Sequence, residues 1–140
     1  MLRKEPSEQM KVIHVVCAII EKNGRIFATQ RGYGEFKDGW EFPGGKVEPA
    51  EKPEHAIIRE IQEELNTQIR VERFLDTVDY DYPNFHIIMD CFLCRVISGN
   101  LDLLEHEDAR WLDREHVMTV EWLPPDRMLV EKFCADGIPW

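Results

Sequence analysis

Hydrophobic and polar residues alternate along the chain in stretches that predict several strands and one long helix. Residues 14–20 are apolar and rich in β-branched side chains, which is typical of a buried strand. Asn23-Gly24 follows, and this dipeptide favours a hairpin turn because both residues tolerate positive φ. Residues 25–29 are then expected to form the antiparallel return strand. Residues 32–40 contain several glycines and predict a loop.

The long helical pattern follows a break at residues 41–45 and runs from about residue 51 to residue 65. Pro53 stands near its start, where a missing N–H group is harmless, and Asn66 follows its end, where it tolerates the left-handed cap. At about 100° per residue, four aliphatic side chains fall on one stripe that must pack against a sheet. They are Ile57, Ile58, Ile61 and Leu65.

The second half of the chain predicts two further strands and a short helix. The strands are expected at residues 69–75 and 86–97, with a loop between them. The helix is expected to begin near Pro124. Strands on both sides of the long helix indicate one mixed α/β domain over residues 11–140, preceded by a flexible polar tail at residues 1–10.

Composition narrows the classes of partner. The 140 residues carry 17 basic and 27 acidic side chains, so the formal net charge is 17 − 27 = −10. A body this acidic repels phosphate backbones and anionic lipids, which argues against a nucleic-acid polymer or a membrane as partner. The longest apolar run, residues 12–20, is far too short for a membrane-spanning helix. A small anionic ligand is compatible, because bound Mg²⁺ can bridge carboxylates and phosphates.

The four cysteines indicate core thiols and not a disulfide or zinc framework. Cys91 and Cys94 form a C-x-x-C pair without a second pair to complete a zinc site, and in a strand their side chains point to opposite faces. Free buried thiols fit a reducing cytoplasm, which is the expected compartment. The sequence leaves the oligomeric state open between monomer and dimer.

Three glutamates border the apolar stripe of the long helix. Glu60, Glu63 and Glu64 occupy an arc of about 100°, and like charges at these spacings destabilise a helix by roughly a few tenths of a kcal/mol per pair. Arg59 can relieve Glu63 at i+4, whereas nothing obvious on the helix relieves Glu60 or Glu64. A solvated acidic face is one interpretation. The other is a site for a hard divalent cation such as Mg²⁺, which takes oxygen ligands.

A glycine pair before the helix favours the second interpretation. Gly44 and Gly45 allow the backbone to approach a ligand or a metal closely, although a glycine pair alone is more often a plain turn. A glycine loop that leads into a helix with a carboxylate edge is better explained by a metal–phosphate site.

These residues resemble the Nudix box, G-x5-E-x7-R-E-U-x-E-E-x-G-U, in which U is an aliphatic residue. Two positions depart: Asn66 stands in place of the second glycine and Thr67 in place of the last aliphatic residue. Asparagine can still adopt the left-handed turn, so the departures concern the local loop and leave the carboxylate set complete. The matching positions are Gly45, Glu51, Arg59, Glu60, Ile61, Glu63 and Glu64.

The resemblance extends over residues 12–133 to the MutT-type branch of this family, including its CTP pyrophosphohydrolase relatives. It implies an α/β/α sandwich with a mixed β-sheet. It also implies hydrolysis of a nucleoside diphosphate linked to another group, with Mg²⁺ as cofactor and Mn²⁺ as the alternative ion. The shared features outside the box are Arg31, the run Trp40-Glu41-Phe42-Pro43-Gly44-Gly45, Glu105 six residues before Trp111, and Asp126.

Within this branch, the implied activity is that of a nucleoside triphosphate pyrophosphohydrolase. The products would be a nucleoside monophosphate and pyrophosphate, and the substrate a CTP-type nucleotide or oxidised dGTP. One alternative is hydrolysis of another substrate, such as ADP-ribose, on the same box. A non-catalytic nucleotide-binding module is the other alternative, and the complete carboxylate set argues against it, since a sensor does not need every carboxylate.

The resemblance also assigns roles at the metal. Arg59 would orient Glu51 or Glu60 through a bidentate ion pair, or would touch phosphate, and the orienting role is favoured. Sequence alone does not separate the catalytic base from the metal ligands. Glu105 would approach from another loop, and its alternative is an exposed loop acid. The implied ligands are the Gly44 carbonyl and the carboxylates of Glu60, Glu63, Glu64 and Glu105.

Three residues outside the helix are implied to bind the nucleotide. Asp126 would read the base, and its alternative is a helix N-cap. Arg31 would contact the base or the phosphates, and its alternative is a surface strand charge. Phe42 would wall the pocket or belong to the core. Tyr80 and Tyr82 are further candidates for a substrate loop.

Overall fold

The computed structural model describes residues 11–137 and residue 139, so the expected tail at residues 1–10 lies outside the described residues. Within this part of the chain, a mixed sheet carries two helices. The strands are β1 (Lys11–Lys22), β2 (Arg25–Arg31), β3 (Trp40–Glu41), β4 (Gly44–Lys46), β5 (Gln68–Asp81), β6 (Phe85–Ser98) and β7 (His106–Leu112), and the helices are α1 (Pro53–Leu65) and α2 (Pro124–Asp136).

The sheet combines parallel and antiparallel pairing in the order β3-β2-β1-β6-β5. β1 runs parallel to β6, from Lys11 opposite Phe85 to Ile20 opposite Cys94. β5 pairs antiparallel with β6, β4 with β1, and β7 with β2. The mixed sheet expected from the sequence is therefore confirmed.

Side chains alternate along β1 between two apolar cores, because successive strand residues point to opposite faces. Cys17 packs in the core that contains α2, whereas Val16 packs in the core that contains α1. Cys91 and Cys94 divide in the same way, as expected, and both are buried free thiols. Cys134 is exposed, so the expectation of a core thiol was wrong at that position. The helices thus cover opposite faces, which confirms the α/β/α sandwich. The buried contributions are Ala56, Ile57, Ile61 and Leu65 from α1, and Leu129, Val130 and Phe133 from α2.

Two turn predictions hold at the level of backbone angles. Asn23 and Gly24 have φ values of 54° and 78°, and they join β1 and β2 as an antiparallel hairpin. Asn66 closes α1 with φ 48° and ψ 46°, so it adopts the left-handed cap without a glycine. Thr67 is buried, and its hydroxyl donates to the Leu65 carbonyl and accepts from the Leu101 N–H. Both departures from the box are therefore accommodated locally.

Four expectations about the elements need correction. Residues 41–45 are not a plain break, because the short strands β3 and β4 occupy residues 40–46. β5 runs on to Asp81, well beyond residue 75. The strand β7 was not predicted, because its exposed sequence HEDARWL lacks an apolar alternation. Ile58 is 39% exposed and lies off the buried stripe, and Ala56 is buried instead. None of the helices in the described residues is long and apolar enough to cross a membrane.

Candidate active site

A cavity of about 350 Å³ opens on the sheet beside the N-terminal half of β1, in the size range typical of small-molecule sites. Its walls come from β1, the loop after β2, β3 and β4, the end of α1, the β5–β6 hairpin, the start of β7 and the start of α2. Its charged and polar lining residues are Arg31, Tyr33, Glu35, Glu41, Glu64, Tyr82, Glu105, His106 and Asp126.

Gly44 and Gly45 each leave no room for a Cβ atom, but the neighbouring atoms that exclude it differ. Gly44 pairs with Cys17 across β4 and β1, and a Cβ at Gly44 would overlap the backbone carbonyl oxygen of Val16. A Cβ at Gly45 would instead overlap the carboxylate of Glu60. Gly44 therefore serves the sheet, and Gly45 makes room for an acidic side chain of α1.

Negative charge concentrates at one end of the cavity, which we call the acidic end (Glu60, Glu64 and Glu105). The Glu64 side chain is 14% exposed, and its Oε2 is buried without a hydrogen-bond partner in the described residues. Burial, together with the neighbouring carboxylates of Glu60, Glu105 and Glu41, raises the pKa of Glu64 to about 9. A carboxylate in such surroundings is stabilised by a cation.

The metal ligands implied by the sequence differ in whether they line the cavity. Gly44, Glu64 and Glu105 line the cavity, and Glu60 lies within hydrogen-bonding reach of Glu64 behind the cavity wall. The side chain of Glu63 is 58% exposed and is paired with Arg59 at 3.3 Å. Among residues 11–137 and 139, no group of three or more His, Cys, Asp or Glu side chains stands ready to hold a metal. The largely buried Glu64 carboxylate, which keeps one oxygen without a partner in this described part of the chain and lies beside the carboxylates of Glu60 and Glu105, nevertheless fits a hard cation.

Arg59 anchors the carboxylates of α1 and of the preceding loop. Its guanidinium makes a bidentate pair with Glu51, with Nε–Oε2 at 2.8 Å and Nη2–Oε1 at 2.9 Å. Its Nη1 lies 2.9 Å from Oε1 of Glu60, and its Nη2 donates to the Lys46 carbonyl at 3.0 Å. Arg59 lowers the pKa of Glu51 to about 2. The expectation that nothing on the helix relieves Glu60 was wrong, and for Glu64 it holds.

At the other end of the cavity, which we call the paired end (Arg31, Glu41, Phe42 and Asp126), each charge has a partner. Arg31 and Glu41 form a bidentate ion pair at 2.7 and 3.1 Å. Arg31 also donates to the Glu35 carbonyl at 3.0 Å, so its guanidinium is held at the cavity wall although it remains partly exposed at the end of β2. Phe42 is buried and its ring packs on Trp122 at a centroid distance of 4.6 Å, so it serves both the core and the wall.

Asp126 is a buried acid held by a distant part of the chain. It is 5% exposed, and its Oδ1 accepts the Phe42 N–H at 2.9 Å. The helix N-cap is Leu123, which makes no side-chain cap bond, so the N-cap alternative for Asp126 was wrong. Burial and the nearby Glu41 raise the pKa of Asp126 well above its usual range, against the effect of the Phe42 N–H.

Reasoning from the sequence missed several residues that line this cavity, among them Glu41 and His106. Glu41 belongs to the quoted run before the box, yet no role was assigned to it. His106 begins the strand that the sequence did not predict; its side chain is 7% exposed, and burial lowers its pKa. No sequence signal distinguishes His106 from the acidic residues around it. Tyr82 does line the cavity as expected, and burial raises its pKa to about 12, whereas Tyr80 packs edge-on against it.

Comparison with known proteins agrees with the geometry. A model of the NUDIX domain matches residues 10–137. The CTP pyrophosphohydrolase of Escherichia coli K12 is 35% identical over 127 residues, which cover 90% of this chain and 94% of that protein. The 8-oxo-dGTP diphosphatase of Proteus vulgaris is 41% identical over 85 residues, which cover 59% of this chain and 76% of that protein.

A solved structure shows the same likeness in three dimensions. The solution structure of the E. coli ORF135 protein is similar with a TM-score of 0.77 and 34% identity, over 91% of this chain and 92% of that one. The domain match spans most of the chain, and Glu64 of its box lines the cavity with Glu60 beside it. The chain therefore belongs to the Nudix family and is a Nudix hydrolase.

Proposed function

We propose that this Nudix hydrolase is a nucleoside triphosphate pyrophosphohydrolase that uses Mg²⁺ and releases a nucleoside monophosphate and pyrophosphate. The observation that carries the proposal is the environment of Glu64. Its largely buried carboxylate keeps one oxygen without a partner among the described residues and lies close to the carboxylates of Glu60 and Glu105, and a divalent cation would stabilise this arrangement. A bound metal ion supplies positive charge to the phosphate oxygens and lowers the pKa of water.

The residues at the acidic end would have separate roles in metal binding, proton transfer and orientation. Glu64, Glu105 and the Gly44 carbonyl, which line the cavity, would hold the metal ion, with Glu60 beside them. Glu60 or Glu105 would accept the proton of the attacking water, because Glu105 lines the cavity, Glu60 adjoins Glu64, and neither is held in a bidentate ion pair. Arg59 would orient Glu60 through the 2.9 Å contact and fix the loop through Glu51. Glu63, exposed and paired with Arg59, is the least direct of the implied ligands.

The paired end would hold the nucleoside. Asp126 can accept from an amino group when ionised and can donate when protonated, and its raised pKa makes both forms relevant. Arg31 and Phe42 would bound the same space, since both line the cavity beside Asp126. A CTP-type nucleotide or oxidised dGTP is the proposed substrate, in line with the names of the relatives from E. coli and Proteus vulgaris.

The test is a product analysis with a substrate panel. The protein is incubated with Mg²⁺ and, separately, with each ribonucleoside and deoxyribonucleoside triphosphate, 8-oxo-dGTP and ADP-ribose, and the products are identified. Pyrophosphate from a triphosphate supports the proposal, and a preference for CTP or 8-oxo-dGTP supports the substrate assignment. Cleavage of ADP-ribose alone would contradict it and would favour the broader substrate class. Binding of a nucleotide without turnover would favour a binding module.

A further inference from the structure

The start of β7 contains a β-bulge that turns one side chain toward the cavity. In the pairing of β2 with β7, Gln30 lies opposite Asp108 and Arg31 lies opposite His106, so that Glu107 is an extra residue on β7. A bulge changes which side chains face a given side of a sheet, and such features are common beside active sites. Here it places the imidazole of His106 on the cavity wall.

The surrounding backbone holds His106 in this position. Gly32 follows β2, and a Cβ there would come within 3.1 Å of the Glu105 carbonyl oxygen and the Glu107 nitrogen. Glu105 and Glu107 are exposed on either side, whereas the side chain of His106 is only 7% exposed. The backbone of this segment therefore buries the imidazole of His106, while the acidic side chains on either side remain exposed.

Polar atoms of this imidazole and of the nearby Glu64 carboxylate lack hydrogen-bond partners within the described part of the chain. In the described residues, Nδ1 of His106 is buried without a partner, and Oε2 of Glu64 is buried without one as well. Nε2 of His106 lies 3.8 Å from that same Oε2. A neutral imidazole carries one N–H, and placing it on Nε2 leaves only a lone pair at the unpartnered Nδ1. The N–H group at Nε2 then lies on the side of Glu64, whose Oε2 can accept a hydrogen bond.

We propose that His106 is a positioning residue for the reaction, whose Nε2–H donates to Oε2 of Glu64 and holds that carboxylate with its other oxygen toward the cavity. The proposal rests on the role given to Glu64 under the proposed function. The present separation of 3.8 Å is longer than a hydrogen bond. The hydrogen bond therefore requires the Glu64 carboxylate to rotate toward His106, a motion that the broad terminal torsion of a glutamate allows. A donor of this kind fixes the direction of a ligand lone pair.

A set of three substitutions separates the two ring nitrogens. The amide nitrogen of glutamine lies near the position of Nε2, and that of asparagine lies near Nδ1, while leucine has no donor. We expect His106→Gln to retain kcat within a few-fold, and His106→Asn and His106→Leu to lower it roughly 10- to 100-fold. KM for the nucleotide should change little. His116→Gln is the matched control, because His116 is exposed in a turn and pairs with Asp113.

Two further measurements do not depend on turnover. The ¹⁵N chemical shifts of the His106 ring in the metal-free protein should show a proton on Nε2. Mn²⁺ binding without nucleotide, measured by electron paramagnetic resonance, should weaken roughly 10-fold or more in His106→Leu and remain near wild type in His106→Gln.

A proton on Nδ1 would overturn the proposal, as would equal activity in the asparagine and glutamine variants or unchanged Mn²⁺ affinity in His106→Leu. Failure of the proposed function would appear differently, as a wild-type protein that releases no pyrophosphate. In that case the ring shifts and the Mn²⁺ affinities still decide the role of His106.

Discussion

The two ends of the cavity place carboxylates under different conditions. At the paired end, the Glu41 carboxylate is bound by both arms of Arg31, and Asp126 accepts a backbone N–H. At the acidic end, Arg59 is engaged with Glu51 and Glu60, and an oxygen of Glu64 has no partner in the described part of the chain. Both ends are acidic, yet only one of them leaves a buried oxygen unsatisfied.

This difference separates two functions of a buried acid. A carboxylate with fixed partners presents a fixed pattern of donors and acceptors, which suits the selection of a base. A carboxylate that other carboxylates surround is destabilised by their repulsion, and binding of a cation relieves that repulsion. Such a carboxylate suits the binding of a metal ion. The comparison predicts that changes at the acidic end act on turnover and metal binding, and that changes at the paired end act on substrate choice.

The largest effect is expected from Glu64→Gln. This change keeps the shape of the side chain and removes its charge, so metal binding should weaken and kcat should fall roughly 100-fold or more. Without metal, the melting temperature should not fall at neutral pH, because the raised pKa of about 9 already keeps Glu64 protonated in the folded state, and a neutral acid is replaced by a neutral amide. Initial rates of pyrophosphate release and thermal unfolding measure the two effects.

Glu131→Gln is the control for that experiment. Glu131 is 58% exposed on α2 and pairs with Arg127 at i+4, so neither rate nor stability should change measurably. If Glu64→Gln retained more than half of the wild-type rate, or if its metal-free form melted several degrees lower, the acidic end would have no special role.

A second prediction uses the glycine pair, whose two members differ in what they approach. In Gly45→Ala the new methyl group meets the flexible Glu60 carboxylate, so the rate should fall roughly 10-fold while the fold is retained. In Gly44→Ala it meets the Val16 backbone, which cannot move aside, and the free energy of unfolding should fall by about 1–3 kcal/mol or more. Denaturant unfolding and initial rates would be compared. Equal loss of stability in both variants would contradict the division of roles.

The sequence predicts the acidic end better than the paired end, and the reason is the range of the contacts. Glu60 and Glu64 lie on one helix, where residue spacing alone fixes which side chains are neighbours. The Phe42 N–H and the Asp126 carboxylate are 84 positions apart, and only the folded sheet brings them together. The resemblance to a known family pointed to Asp126, but it gave no indication of the hydrogen bond that holds it.

The strands show the same limit. β1 is recognisable because both of its faces are buried, and its apolar run is continuous. β7 is charged and mostly exposed and gains its place through backbone pairing with β2, which leaves no apolar pattern in the sequence. Because β7 went unrecognised, so did the inward turn of His106 at its bulge. A site residue on a strand of this kind can be found only from the structure.

The smallest effect is expected at the paired end, from Asp126→Asn. The asparagine oxygen can still accept the Phe42 N–H, so the fold and the maximal rate should be retained. The ratio of kcat/KM between two bases should change by up to about 10-fold, since a carboxyl group that can donate or, when ionised, only accept is exchanged for an amide that always donates. Burial raises the pKa of Asp126, so the folded state keeps its proton at a pH where the unfolded state has lost it.

The stability of wild type should therefore decline as pH rises above the unfolded value of about 4 toward the folded pKa, and Asp126→Asn should lack this part of the decline. The other titratable groups that face Asp126 are Glu41, Arg31, Tyr82 and Cys17, all of which the variant retains. Denaturant unfolding at pH 5 and pH 8 measures the difference for both proteins. If stability declined identically in the two proteins and the base preference did not change, Asp126 would have no role in base selection. The proposed difference in function between the two ends would then be wrong.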